Sequence, residues 1–68
     1  MKIKLTTIKD VNDFVNLAFS KGVESTLSQG RYIVNAASLL GVFSLDLMQP
    51  VDLYVSSGDY SEFQRFAA

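Results

Sequence analysis

Four short stretches of the chain have the residue pattern of β-strands. Residues 2–6 and 51–55 alternate polar and apolar positions, and residues 23–28 show the same alternation. Residues 32–35 are rich in β-branched side chains and follow the turn sequence Ser-Gln-Gly-Arg, which predicts a hairpin between the second and third strands. Because successive side chains of a strand point to opposite faces, each strand is predicted to bury one face.

A first helix is predicted to follow the first strand. Thr7 and Asp10 are spaced like a capping box with Asp in place of Glu, and Gly22 is a typical helix terminator. Between them, apolar residues recur at the i, i+3, i+4 and i+7 spacing of one helix face: Val11, Phe14, Val15 and Ala18. The predicted helix is amphipathic and has about a dozen residues.

Two shorter helices are predicted further along the chain. Ser38 precedes an apolar segment that runs to about Leu45. Asp59 and Glu62 have the spacing of a second capping box, and Phe63 lies on the apolar face that follows. The resulting order is β-α-β-β-α-β-α, which predicts a sheet with helices on one face and water on the other.

The composition is that of one small globular domain. The chain has 68 residues, 49% of them hydrophobic, and no repeat or linker, so we predict a single domain over residues 1–68. It contains no cysteine, which excludes disulfides and thiolate chemistry and fits a reducing cytoplasm. The N-terminal Met-Lys-Ile-Lys-Leu is too short and too alternating for a signal peptide or a spanning helix. We therefore expect a soluble, cytoplasmic protein with no membrane partner.

Charge and reactive side chains narrow the possible functions. Six Lys and Arg residues against seven Asp and Glu residues give a net charge of −1, and the basic residues are scattered. A nucleic-acid partner is therefore not expected, because neither a basic surface nor a base-stacking surface with interleaved basic residues is present. No histidine occurs in the chain. We expect no enzyme activity, no cofactor and no metal site.

The segment from Arg31 to about Glu62 contains an extended pattern typical of one protein family. It reads RYIVNAASLLGVFSLDLMQPVDLYVSSGDYSEF, with Asn, Ser and Gly at fixed spacing and a proline-led strand behind them. This pattern resembles the second half of HPr, the histidine-containing phosphocarrier of the bacterial sugar phosphotransferase system. The resemblance implies an α+β open-faced β-sandwich whose antiparallel sheet has the strand order 1-4-2-3. The order of predicted elements agrees with HPr along the whole chain.

The working site of HPr is a loop at the start of the first helix, where a histidine accepts a phosphoryl group. Counting back from Ser38 without a gap places Thr7 at the histidine position and Lys9 at the arginine position of that loop. A threonine would form a stable phosphate ester in place of the high-energy phosphoramidate that transfer requires. The resemblance therefore implies an HPr-like protein with a degenerate carrier site, and we expect a regulatory or protein-interaction module.

Two interpretations of that degenerate carrier site stay open. In the first, Lys9 and the N-terminus of the first helix keep a site for a phosphate or carboxylate group. In the second, Thr7 only caps the helix and Lys9 is a solvated charge.

Ser38 is the candidate regulatory residue. It corresponds to the position at which many HPr proteins are phosphorylated by a serine kinase, and backbone N–H groups at a helix start stabilise a phosphate. The alternative is that Ser38 is only an N-cap, which stabilises a helix by about 1 kcal/mol.

The second helix also carries the candidate partner-binding residues. Leu39, Leu40 and Phe43 correspond to the apolar surface at which HPr proteins contact their partner enzymes and regulators. A helix of two turns over a single sheet buries one stripe, which is already filled by Leu39, Val42, Phe43 and Leu45. Leu40 lies about 100° from its neighbours around the helix axis, so we predict that it is exposed.

Two other functions stay open. One is a phosphotransfer component that is phosphorylated on a residue other than histidine, with Ser38 as the acceptor. The other is a protein that shares only the fold and binds an unrelated ligand on the open sheet face.

The missing histidine leads to a first testable prediction. Incubation with phosphoenolpyruvate and the general phosphotransferase enzyme is expected to add no acid-labile phosphate to the chain, because no imidazole is present to accept it. The measurement is intact mass before and after acid treatment, with an authentic HPr as the positive control. An acid-labile, alkali-stable phosphorylated species would contradict the prediction.

Overall fold

The computed structural model describes residues 1–68 and confirms the predicted order of elements. The final helix is a 3₁₀ helix, Ser61–Phe66, in place of an α-helix. In chain order the preceding elements are β1 Lys2–Ile3, α1 Ile8–Ser20, β2 Ser25–Gln29, β3 Tyr32–Asn35, α2 Leu39–Phe43 and β4 Val51–Val55.

The strands form one antiparallel sheet in the order β1-β4-β2-β3, as expected. Leu27 in β2 is in register with Leu53 of β4 on one side and with Val34 of β3 on the other, and these side chains point toward the helices. Asp52, one residue from Leu53, points to the opposite face and pairs with Lys2 of β1 at 3.1 Å. The sheet therefore has a face covered by helices and a face open to water, which confirms the α+β class.

Aromatic packing joins α1 to the C-terminal 3₁₀ helix. The ring of Phe14 lies 5.6 Å from the ring of Phe63 and 5.5 Å from that of Phe66, the second pair edge to face. All three rings belong to the buried core. Such pairs contribute about 0.5–1.5 kcal/mol beyond the burial of their area.

β1 is shorter than the predicted strand over residues 2–6, because the C-terminal residues take over its pairing. The amide of Lys4 donates to the carbonyl of Phe66 at 2.9 Å, and the amide of Ala68 donates to the carbonyl of Lys2 at 3.1 Å. Ile3 is bridged to Ala67 in the same antiparallel sense. Leu5 is buried, like Ile3, although it lies beyond the end of the strand, so the alternation of residues 2–6 correctly predicted which side chains are buried.

Two other boundaries move inward by two residues, whereas β4 has the predicted bounds and β2 extends one residue further, to Gln29. β2 begins at Ser25 in place of residue 23, and α2 ends at Phe43 in place of Leu45. At the end of α2 the amide of Ser44 is shared between the carbonyls of Leu40 and Gly41, which tightens the last turn.

The capping box predicted at Asp59 and Glu62 does not form. The carboxylate of Asp59 accepts from the amide and the hydroxyl of Ser61, at 3.0 and 2.7 Å. Glu62 instead pairs with Lys21 at the end of α1. The segment that follows has 3₁₀ hydrogen bonds, such as Phe63 N–H to Tyr60 C=O at 3.0 Å.

The contact between α1 and the 3₁₀ helix also has an ionic part, which predicts a pH dependence. The Asp13 carboxylate accepts hydrogen bonds from Lys9 at 2.6 Å and from Arg65 at 2.9 Å. These bonds lower the pKa of Asp13 below its ordinary value of 3.8, and the bond from Lys9 has the largest effect. A carboxyl with a lowered pKa stabilises the fold above its ordinary pKa and loses this contribution as pH falls through the folded value.

Asp13→Asn is therefore expected to unfold at lower urea concentration than the unchanged chain at pH 7. The difference is expected to shrink as pH falls below 3.8, the ordinary pKa of this carboxyl, and to vanish once Asp13 of the unchanged chain is protonated as well. Urea midpoints measured from pH 7 to pH 2 test this. A difference that stays constant over that range would contradict the ionic explanation.

Candidate functional site

Thr7, the residue at the carrier position, is the N-cap of α1. Its hydroxyl oxygen accepts from the amide of Asp10 at 3.0 Å. The Asp10 carboxylate in turn accepts from the amide and hydroxyl of Thr6, at 3.2 and 2.8 Å, and the Thr6 hydroxyl is the first cause of a lowered pKa at Asp10. The predicted cap is confirmed, but the reciprocal bond of the capping box reaches Thr6 and not Thr7.

Lys9 is engaged within its own helix. Its ammonium lies 2.6 Å from the Asp13 carboxylate, one turn further along the exposed side of α1. Asp10 meanwhile places a carboxylate against the Thr6 amide at the helix start. The positive groups that an anion would use are thus already close to carboxylates of the chain, and this arrangement favours the interpretation of Thr7 as a cap and Lys9 as a surface charge.

Ser38 is the N-cap of α2, as predicted. Its hydroxyl oxygen accepts from the amide of Gly41 at 3.1 Å. A side chain at Gly41 would meet the Ser38 oxygen at 3.2 Å and the Cβ of Val34 at 3.3 Å, so glycine lets α2 approach β3 closely. Ser38 is half-buried, and its phosphorylation stays a prediction.

The apolar residues in and just after α2 are buried and exposed in a pattern that differs in part from the prediction. Leu40 is 85% exposed, and Val42 and Leu45 are buried, as predicted. Leu39 and Phe43 were expected in the buried stripe, but they are 40% and 44% exposed. The reason is length: α2 has five residues, and one turn can direct only Val42 fully into the core.

An apolar cleft brings the two predicted sites together. It has a volume of about 230 Å³ and lies between the start of α1, the end of α2 and the loop that leads to β4. Its lining includes Thr7 from the carrier position and Phe43 from the partner-binding set. The other lining residues are Leu5, Thr6, Ile8, Val11, Leu47 and Met48.

Ile8 and Met48 are functional candidates that the sequence analysis missed. Both line the cleft and both are exposed. Ile8 continues the helical spacing of Val11 and Val15 toward the N-terminus of α1, so its apolar face was visible in the sequence. Its exposure was not visible, because it depends on where the covering elements end.

We call the exposed apolar surface around this cleft the α2 patch. It consists of Ile8, Phe43 and Met48, which line the cleft, and of Leu39 and Leu40, which lie one turn before Phe43 on α2. None of these side chains carries a charge. At its rim the Lys4 ammonium donates to the carbonyl of Met48. The patch therefore offers apolar contact area with a basic group beside it.

No three of the Asp and Glu residues lie close enough together to hold a metal ion. No helix has the length and apolar character needed to cross a bilayer.

Comparisons of the chain with protein-family models, with curated proteins and with solved structures found no match. The resemblance to HPr therefore stays a prediction that rests on the residues quoted above.

The Ser38 cap leads to a stability prediction. Ser38→Ala removes the acceptor for the Gly41 amide and is expected to lower the free energy of unfolding by about 0.5–2 kcal/mol. Ser20→Ala is the matched control, because its hydroxyl only donates to the carbonyl of Leu17 near the end of α1. Equal urea midpoints for Ser38→Ala and the unchanged chain would show that the cap contributes nothing.

Proposed function

We propose that the chain is an HPr-like cytoplasmic protein that lacks the carrier histidine and acts as a regulatory or protein-interaction module. In this proposal it binds a partner protein of the phosphotransferase-system or regulatory type through the α2 patch. The observation that carries the proposal is Leu40, which is 85% exposed in a helix whose neighbours Leu39 and Phe43 are also partly exposed.

The energetics of exposure support a binding role for this surface. Fully burying a leucine contributes about 1.5–3 kcal/mol relative to leaving it in water. Ile8, Phe43 and Met48 are exposed at the cleft, and Leu39 and Leu40 lie one helical turn before Phe43. Clustered exposed apolar side chains in a soluble protein are typical of a contact site. A partner that covers Leu40 and Phe43 would recover this free energy.

The size of the cleft favours a partner side chain over a small-molecule substrate. Its volume of about 230 Å³ is below the range of about 300–1,000 Å³ that is usual for ligand pockets. Its lining is mainly apolar, with Thr6 and Thr7 as the only polar members. A leucine or aromatic side chain of a docked protein fits this chemistry.

The groups at the carrier position support a role without phosphoryl transfer. The Thr7 hydroxyl accepts a hydrogen bond from the backbone N–H of Asp10 as a helix cap. It donates no hydrogen bond to a basic group of the kind that activates a hydroxyl nucleophile. Ser38 directly precedes Leu39, so a phosphate there would add negative charge at the border of the α2 patch. A serine kinase acting on Ser38 would then regulate binding at this patch.

Leu40→Ser tests the proposal against purified phosphotransferase proteins. We expect the general phosphotransferase enzyme or an HPr-directed serine kinase to bind the unchanged chain, and Leu40→Ser to weaken that binding by about 10-fold or more. The matched control is Phe19→Ser, because Phe19 is 76% exposed on α1 and lies about 16 Å along the helix from Ile8. Calorimetric titration gives the affinities.

Thermal unfolding of both variants separates docking from folding. Leu40→Ser is expected to leave stability nearly unchanged, whereas truncation of a buried leucine costs about 2–5 kcal/mol. Three results contradict the proposal: a loss of stability of that size, equal effects of Leu40→Ser and Phe19→Ser on binding, or no binding by the unchanged chain.

A further inference from the structure

The two edges of the sheet differ in whether the chain covers them. β1 forms one edge, and the C-terminal residues continue the ladder there through Lys4 N–H to Phe66 C=O and Ala68 N–H to Lys2 C=O. β3 forms the other edge and pairs only with β2. The hydrogen-bonding groups on the outer side of β3 therefore face away from the rest of the sheet.

The register of the hairpin identifies those groups. Gln29 and Tyr32 close a two-residue turn, and Ala36 N–H donates to Ser25 C=O at 3.1 Å further along the same ladder. Residues of antiparallel strands alternate between hydrogen-bonded and non-hydrogen-bonded pairs. Ile33, opposite Ser28, falls in a non-hydrogen-bonded pair, so its N–H and C=O point outward.

Asn35, two residues further on, has the same backbone orientation as Ile33, so its backbone N–H also points outward. Its carbonyl already accepts from the amide of Ser38 at 3.0 Å. The outer side of β3 thus presents a donor and an acceptor at Ile33 and a further donor at Asn35.

Apart from its short length, β3 lacks the features that usually keep an edge strand from pairing. Its sequence, Tyr-Ile-Val-Asn, contains no proline and no charged residue. Ile33 is 70% exposed on the open face of the sheet, and Tyr32 is exposed on the other face. An uncharged edge with apolar side chains on both faces is suited to the addition of another strand.

We propose that β3 pairs antiparallel with β3 of a second copy of this chain, around a two-fold axis at Ile33. The backbone N–H of Ile33 in each copy would donate to the Ile33 carbonyl of the other copy. The backbone N–H of Asn35 would face the Arg31 carbonyl of the other copy. The sheet of each copy, with four strands, becomes half of one continuous sheet. The interface is isologous, as in most homodimers.

A second copy matches this edge in shape and in charge. A two-fold axis places the exposed Ile33 side chains of both copies beside each other on the open face, and Tyr32 beside Val34 of the second copy on the other face. Arg31, the charged residue next to β3, lies opposite the neutral Asn35 of the second copy, so no like charges meet.

The short edge sets the strength of the association. β3 has four residues, and an interface of that length lies at the small end of specific protein contacts. We therefore expect a weak dimer, with a dissociation constant on the order of high micromolar to millimolar, so its population depends on concentration.

Sedimentation velocity and amide hydrogen exchange of the full chain test the proposal. We expect the sedimentation coefficient to rise from monomer to dimer between micromolar and millimolar concentration. The Ile33 amide is expected to exchange at least several-fold more slowly at the higher concentration. Ile33→Lys places like charges opposite each other at the axis and is expected to abolish both effects.

Tyr54→Lys is the matched control, because Tyr54 is exposed on the same open face but belongs to β4, in the interior of the sheet. It is expected to leave the dimer intact, and circular dichroism of both variants verifies that they fold. A chain that stays monomeric at millimolar concentration overturns the proposal. A dimer that survives Ile33→Lys, or that Leu40→Ser abolishes, also overturns it, because the contact would then lie elsewhere.

Discussion

The packing of Phe14 against Phe63 and Phe66 determines where both ends of the chain lie. Phe14 is in the middle of α1, so its contact at about 5.5 Å with each ring fixes this helix over the sheet. The same contact holds the 3₁₀ helix in place, and the residues after it then bond to β1. One aromatic cluster thus orients α1 and leaves β3 as the uncovered edge of the sheet.

The position of α1 and the shortness of α2 together create the α2 patch. α1 brings Ile8 to the end of the sheet, where α2, with five residues, directs only Val42 fully into the core. Gly41 lets α2 lie close to Val34 of β3. The apolar side chains beyond that contact remain in water and form the rim of the cleft.

Local pattern predicted the elements well because strand alternation and helix caps act over a few residues. The alternation of 51–55 and the Thr7 and Ser38 caps are found in the structure as predicted. The capping box predicted at Asp59 and Glu62 does not form, because Glu62 pairs with Lys21, which is distant in sequence. The cleft was missed for the same reason: Ile8 and Met48 meet only through the tertiary fold.

Contacts within the fold account for the buried polar side chains and for the shifted carboxyl groups. No buried side-chain nitrogen or oxygen lacks a hydrogen-bond partner. The lowered pKa values of Asp10, Asp13 and Asp59 each have a structural partner as their first cause, respectively Thr6, Lys9 and Ser61. The cleft, by contrast, is lined mainly by apolar side chains. The fold leaves apolar side chains at the α2 patch and outward-facing backbone groups at the β3 edge exposed to water, and the two proposals above assign each of them to contact with another protein chain.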